Sequence, residues 1–173
     1  MSKLVLCGTG HRPKDCVVGK LAAYSKAQEL ALFHTAKDAL ASIQDTLEYV
    51  ISGGAQGWDK AVAQAAYSLG IPYHVYIPFR GQERMWPAAA QASYTKMLSL
   101  AQEVVVCGNQ PLLAFMQIRN EAMVDASDIV LALHNGKHSG GTWNCLLYAA
   151  EQKIDSRPDL FILNQWSEYV KRS

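Results

Sequence analysis

Apolar positions along the chain follow two alternating rhythms, short β-branched runs and longer stretches at helical spacing. The run Lys3 to Cys7 predicts a first strand, since continuous apolar runs of this length suit strands buried on both faces. Leu21, Tyr24, Leu30, Phe33, Ala36, Leu40, Ile43 and Leu47 then predict a long helix from about Lys20 to Glu48. Tyr49 to Ser52 predicts a second strand, and Trp58 to Leu69 a helix that Gly70 closes. His74 to Ile77 predicts a third strand, followed by a helix that Pro87 begins at the position proline prefers.

Glu103 to Cys107 predicts a fourth strand and Leu112 to Ala126 a helix. Ile129 to Leu133 predicts a fifth strand, Thr142 to Gln152 a helix, and Asp159 to Leu163 a sixth strand at the sheet edge. Such β-α alternation predicts the α/β class, a three-layer sandwich around a mainly parallel sheet. No linker, repeat or low-complexity stretch divides the chain, so residues 1–173 read as a single domain.

In an open parallel sheet, ligands bind beyond the carboxyl ends of the strands, so the turns there carry the functional information. Three of them are rich in glycine. The first strand runs into Gly8-Thr9-Gly10-His11-Arg12-Pro13 and the second into Ser52-Gly53-Gly54-Ala55-Gln56-Gly57-Trp58-Asp59. The fifth runs into His138-Ser139-Gly140-Gly141-Thr142-Trp143-Asn144. Glycine lets the backbone approach a ligand closely, and the helix that follows offers unpaired N–H groups to an anion. One such turn is a weak signal, because glycine commonly just ends a strand. Three on one edge of one sheet point to a phosphate-bearing ligand. A side chain placed at Gly54 is accordingly expected to block that ligand.

Charge and aromatic residues fall in the same connections. The balance of 16 Lys and Arg against 15 Asp and Glu leaves a net charge of +1, which argues against a surface built wholly for nucleic acid. Basic residues nevertheless cluster locally. His11, Arg12 and Lys14 follow the first strand, Arg80 and Arg84 the third, and His134, Lys137 and His138 the fifth. Asp15 and Glu83 dilute that cluster. Trp58, Trp86 and Trp143 lie in these connections too, where an indole either stacks on a base or packs against a neighbouring helix. Asp59 suits the first turn of its helix for dipole reasons alone.

Other chemistries are not indicated. The chain lacks the phosphate loop Gly-x-x-x-x-Gly-Lys-Ser/Thr, the Gly-x-Ser-x-Gly elbow and the dinucleotide fingerprint. No cofactor is therefore expected. The four cysteines Cys7, Cys16, Cys107 and Cys145 form no Cys-x-x-Cys pair, and the histidines do not combine with them at zinc-ligand spacing, so no metal is expected. No window reaches the roughly 18 to 20 apolar residues that cross a bilayer. The first residues carry no signal-peptide pattern. A cytoplasmic protein without membrane partners is the expectation. The long helix is apolar enough to pair with a second copy, but covering the sheet needs the same residues, so homo-oligomerisation stays open.

The turns resemble the YpsA-like branch of the SLOG superfamily, which includes DprA and the LOG enzymes. The likeness rests on Thr9-Gly10-His11-Arg12-Pro13, Ser52 to Asp59, Pro78-Phe79-Arg80-Gly81-Gln82-Glu83-Arg84-Met85-Trp86-Pro87, Arg119-Asn120-Glu121-Ala122-Met123-Val124-Asp125 and Gly140-Gly141-Thr142-Trp143-Asn144. The Gln82-Glu83 pair with Trp86 points to the YpsA-like branch. The resemblance implies a Rossmann-like fold and a pocket for nucleotides or nucleotide-derived ligands, to be sensed or sequestered. It also implies that Gln82, Glu83, Trp86, Arg119 and Asn120 join the glycine turns in that pocket.

Two further activities follow from the wider superfamily: cleavage of the bond between a base and a ribose phosphate, and DprA-like binding of single-stranded DNA. For the first, Glu83 is the candidate acid/base and Arg119 the residue holding the phosphate. One departure weighs against it. Asn144 stands where a LOG enzyme carries the glutamate that assists cleavage, and an amide cannot act as a carboxylate base.

Overall fold

The computed structural model describes residues 2–12, 25–134, 136, 138–154 and 159–163. Eleven regular α and β elements alternate in it: β1 (Leu4–Gly10), α1 (Lys26–Ile43), β2 (Leu47–Ser52), α2 (Trp58–Ser68), β3 (Tyr73–Ile77), α3 (Ala88–Leu100), β4 (Glu103–Val106), α4 (Ala114–Asp125), β5 (Ile129–Leu133), α5 (Gly141–Ile154) and β6 (Asp159–Leu163). The six strands form one sheet in the order β4-β3-β2-β1-β5-β6. Every neighbouring pair is parallel. This is the expected Rossmann-like α/β architecture, and β6 takes the expected edge.

Strand order defines where a ligand can enter. The chain steps outward from β1 to β4, then returns to lay β5 on the other side of β1. The switch point therefore lies between β1 and β5, where connections leave in opposite directions and open a crevice.

Helices cover both faces. One core joins Leu6, Val50, Val75 and Leu131 to Leu32, Ala36 and Leu40 of α1, to Trp58 and Val62 of α2, and to Tyr94 and Met97 of α3. The other joins Val5, Cys7, Ile51 and Val130 to Met123 and Val124 of α4 and to Cys145, Leu146 and Ala149 of α5. No helix among the described residues is long and apolar enough to cross a membrane.

Three boundaries differ from the sequence reading. Helix α1 starts at a capping box, where Ser25 accepts from the Gln28 amide and Gln28 accepts from Ser25. It ends at Ile43, so Leu47 and Glu48 belong to β2. Leu30 is exposed and Leu32 buried, because Leu32, Ala36 and Leu40 repeat at every fourth position and make the true inner stripe. Leu21 and Tyr24 lie outside the described residues.

The third difference bears on the site. Strand β1 continues through Gly10, with Gly8, Thr9 and Gly10 paired to Leu131, Ala132 and Leu133 of β5. Gly8-Thr9-Gly10 is thus strand, not turn. A Cβ on Gly8 would lie 3.0 Å from Val62, and one on Gly10 would lie 2.5 Å from Trp58. Both glycines, two apart in the strand, bare one face so that α2 can settle directly on β1 through residues one turn apart.

Candidate functional site

All strands run the same way, so the segments after β1, β2, β3 and β5 meet at one edge. The turn after β2 is tied to itself. Ser52 Oγ donates to the Asp59 carbonyl at 2.7 Å and accepts from the Gly54 amide at 3.1 Å. The Asp59 carboxylate accepts from the Ala55 amide at 3.3 Å. From Ile51 to Asp59 every residue is buried except Gln56, which is half-buried.

Arg119 of α4 locks this turn from below. Arg119 is 4% exposed, and its guanidinium donates to the carbonyls of Gly53 at 2.6 Å and Tyr76 at 3.4 Å, and to Asn120 Oδ1 at 2.9 Å. Burial pushes the Asp59 carboxyl above its ordinary value, while Arg119, Arg12 and the Ala55 amide pull it down. Burial likewise disfavours the charged form of Arg119, which Asp59 offsets. Nη1 thus ties the β2 turn and β3 together while Nε holds Asn120, so Arg119 also acts as a strut under the loop.

Gly54 adopts the left-handed conformation in that turn. It has φ of +74°, and a Cβ there would meet Val75 at 3.0 Å, Tyr94 at 3.2 Å and Gln82 at 3.3 Å. A side chain at Gly54 would push against these three residues. Gly70 has φ of +71° with nothing within 4 Å of its Cβ. Gly54→Val is therefore expected to lower the ligand-free melting temperature well beyond Gly70→Val, since both pay left-handed strain and only the first also overpacks. Equal melting temperatures for the two variants would show that Gly54 has more room than its neighbours indicate.

Trp58 is fully buried, with its indole N–H donating to the Leu131 carbonyl at 3.3 Å. It is a core residue, and its ring faces are closed to a base. Burial is also the first cause that raises the thiols: Cys145 is pushed up to about 11 and Cys7 higher still. Neither is a nucleophile near neutral pH. Cys16 lies outside the described residues.

The turn after β5 is open. Gly140 has φ of +90°, and among the described residues a Cβ on Gly140 or Gly141 would meet nothing within 4 Å. Gly141 begins α5, Thr142 is buried beneath it, and Asn144 is exposed. The first amides of a helix have no partner within it, and α5 follows β5, one of the two strands that border the crevice.

A ladder of parallel rings borders that opening. His11 after β1 stacks on His134 after β5 with centroids 5.7 Å apart, and His134 stacks on Trp143 at 5.5 Å. Trp143 in turn carries the exposed His138 ring at 4.2 Å and 13° between planes. Arg12, half-buried, reaches Met116 of α4 with Nη2 3.6 Å from the sulfur. The sequence named these residues separately as bases and an indole, but nothing in their spacing announced the stack.

The segment after β3 lies beside the β2 turn. Gln82 Nε2 donates to the Gly53 carbonyl at 3.3 Å and to the Tyr94 hydroxyl at 3.1 Å. Trp86, half-buried, packs edge-on against Tyr94 with centroids 5.3 Å apart. Tyr94 is thus the residue that organises this corner, and the sequence reading missed it because it lies inside a helix. Arg80 and Arg84 are exposed here. Among the described residues, no group of three His, Cys, Asp or Glu side chains is placed to hold a metal ion.

A six-stranded parallel sheet with its crevice beside β1 and helices on both faces defines a Rossmann-like α/β protein. Within that class the chain belongs to the YspA SLOG family, whose model matches residues 6–163. It is 35% identical over 116 residues to the uncharacterised SPbeta prophage-derived protein YoqJ of Bacillus subtilis strain 168, covering 57% of this chain and 67% of that protein. It is 26% identical over 171 residues to the UPF0398 protein YpsA of the same strain, covering 91% of each. Among solved structures, DNA processing protein A of Helicobacter pylori matches with a TM-score of 0.59 at 16% identity, covering 93% of this chain and 65% of that one. At that identity the likeness speaks to the fold.

Proposed function

We propose that the protein binds a nucleotide or nucleotide derivative along the carboxyl edge of the sheet, as a sensor or carrier of that ligand. The observation that supports this reading most is the open Gly140-Gly141 helix start at the switch point, flanked by the ring ladder from His11 to His138. Helix amides and dipole favour an anion there. The His138 ring lying flat on Trp143 marks a surface that takes a planar group. Asn144 in place of a carboxylate favours binding over hydrolysis.

Nucleoside mono- and diphosphates are expected to raise the melting temperature and to quench tryptophan fluorescence through Trp143 and Trp86. Ligand at a hundred times its Kd should add about 2.7 kcal/mol of stability. Gly141→Val is expected to weaken binding on the order of tenfold, about 1.4 kcal/mol. It should leave the ligand-free melting temperature nearly unchanged, because among the described residues a Cβ there meets nothing within 4 Å. A panel that produces neither thermal shift nor quenching would remove this reading. Release of free base from a nucleoside monophosphate, lost in Glu83→Gln, would replace it with the hydrolase. The Helicobacter pylori structure is that of a protein described by its single-stranded DNA binding mode. A strand bound here would lose affinity steeply with added salt, which a single small anion would not.

A further inference from the structure

Strand β4 lies at the edge of the sheet, paired with β3 on one side and, among the described residues, with no strand on the other. Its sequence, Glu103-Val104-Val105-Val106, contains no proline or lysine, and its pairing with β3 runs in unbroken register. Those are the devices that keep a sheet edge from recruiting another strand. Only shortness and one charge remain here, and the valines stay at the surface, Val104 37% and Val106 36% exposed. Both face the side of the sheet that carries α3, because they pair with Val75 and Ile77 of that core. Leu100, which ends α3, is exposed as well. Glu103 does not stand guard over the edge. It leans back across the other face, with Oε2 3.6 Å from Nδ1 of His74 in β3.

The direction of the main-chain groups follows from one bond. The Gln102 amide donates to the Tyr73 carbonyl at 2.9 Å, so Gln102 faces β3. Main-chain groups alternate in direction along a strand, so Val104 also faces β3. Glu103 and Val105 therefore turn their N–H and C=O groups outward, away from the sheet.

We infer that β4 pairs antiparallel with β4 of a second copy, joining the two sheets into one about a twofold axis. Such a contact needs a surface that matches itself, and this edge does so in one register. With Val104 opposite Val104, Glu103 of each copy lies opposite Val105 of the other. Each of these pairs exchanges two hydrogen bonds, which uses every outward group of the two residues. No like charges oppose one another, because Glu103 meets a valine. The acidic start of one strand also comes beside the far end of the other, the end at which Arg80 and Arg84 stand exposed after β3. The axis passes through the sheet, so Leu100, Val104 and Val106 of both copies fall on the same face and extend one apolar strip. The strip and the strand edge fall short of the standard interface of about 1,200 to 2,000 Å², so the association is reversible, with Kd on the order of 10 µM.

Sedimentation equilibrium of the full chain from about 1 µM to 1 mM is expected to show monomer and dimer in exchange. Val105→Pro removes an outward N–H and leaves the bonds to β3 intact, so it should weaken the dimer at least tenfold while the melting temperature stays nearly unchanged. Cysteine cross-linking reads the register without relying on that variant. Val104→Cys stands opposite its own copy with Cα atoms about 4.5 Å apart, within disulfide reach, so oxidised glutathione should link two chains as it is itself reduced. Val106→Cys lies four residues out of step with its copy, about 13 Å away, and should link no more than the parent, which carries Cys107. A chain that sediments as a monomer throughout would overturn the inference and leave the edge to an extended segment of another protein. A dimer that persists in folded Val105→Pro, or Val104→Cys linking no better than Val106→Cys, would overturn it by placing the second copy on a different surface.

Discussion

Replacing Arg119 by methionine is expected to destabilise the domain by about 3 to 5 kcal/mol, because it strips a buried carboxylate of its counter-charge. Methionine fills part of the space but cannot donate to the Gly53 and Tyr76 carbonyls, now held by Nη1 at 2.6 and 3.4 Å. For a chain of this size the change corresponds to a fall in melting temperature of roughly 10 to 20 °C. The loss should depend on pH. Burial holds the Asp59 carboxyl above its ordinary value in the parent, with Arg119 the largest influence pulling it back. A raised carboxyl makes the folded state bind its proton more tightly than the unfolded chain does, so its contribution declines as pH rises above the ordinary value. Removing Arg119 raises it further. The variant should therefore lose less stability near pH 4 than near pH 8, on either side of the window in which a raised carboxyl titrates. Arg119→Met combined with Asp59→Asn should recover part of the loss at neutral pH, since asparagine still accepts from Ala55. Denaturant melts at the two pH values decide it. An equal loss at both, with no recovery in the double variant, would show that Arg119 acts by packing alone.

Gly10→Ala is expected to cost about 3 kcal/mol, at the upper end of what overpacking a core position costs. The added methyl would sit 2.5 Å from Trp58 Cβ, Cγ and Cδ1, a separation that requires something to move. Trp58 cannot move freely, because it is fully buried and donates to Leu131 at 3.3 Å. Helix α2 must lift from β1 or the indole must leave its bond. A melting temperature lower by roughly 10 °C is the expected reading. Trp58→Phe in the same background should restore part of it by making room. A Gly10→Ala protein as stable as the parent would mean that the β1–α2 contact is looser than these distances require.

Both predictions concern residues packed against glycines whose spacing is legible in the sequence and whose surroundings are not. Gly8, Gly10, Gly53 and Gly54 were read as backbone free to approach a phosphate. The spacing of these glycines was visible, but their missing side chains make room for Val62, Trp58, Arg119, Asp59, Val75 and Tyr94. A sequence shows that a position has no side chain. It does not show what would have met one. At the Gly140-Gly141 turn, written with the same letters, an added Cβ meets none of the described residues within 4 Å. The Gln82-Glu83 pair was noticed as a resemblance, and only its surroundings reveal that two of its oxygens lack partners.

The sequence by itself determined the order of strands and helices and the three-layer class, because both follow from local periodicity and from glycine and proline at element ends. It also determined which residues gather at the carboxyl edge, since a parallel sheet sends every β-to-α connection to the same side. Tertiary structure alone decided the strand order β4-β3-β2-β1-β5-β6, and with it the crevice beside β1. It also decided which glycine turns are sealed and which is open, and it stacked His11, His134, Trp143 and His138 from connections more than a hundred residues apart. These features depend on contacts between segments distant in the chain. Local pattern carries no record of such contacts until the sheet brings the segments together.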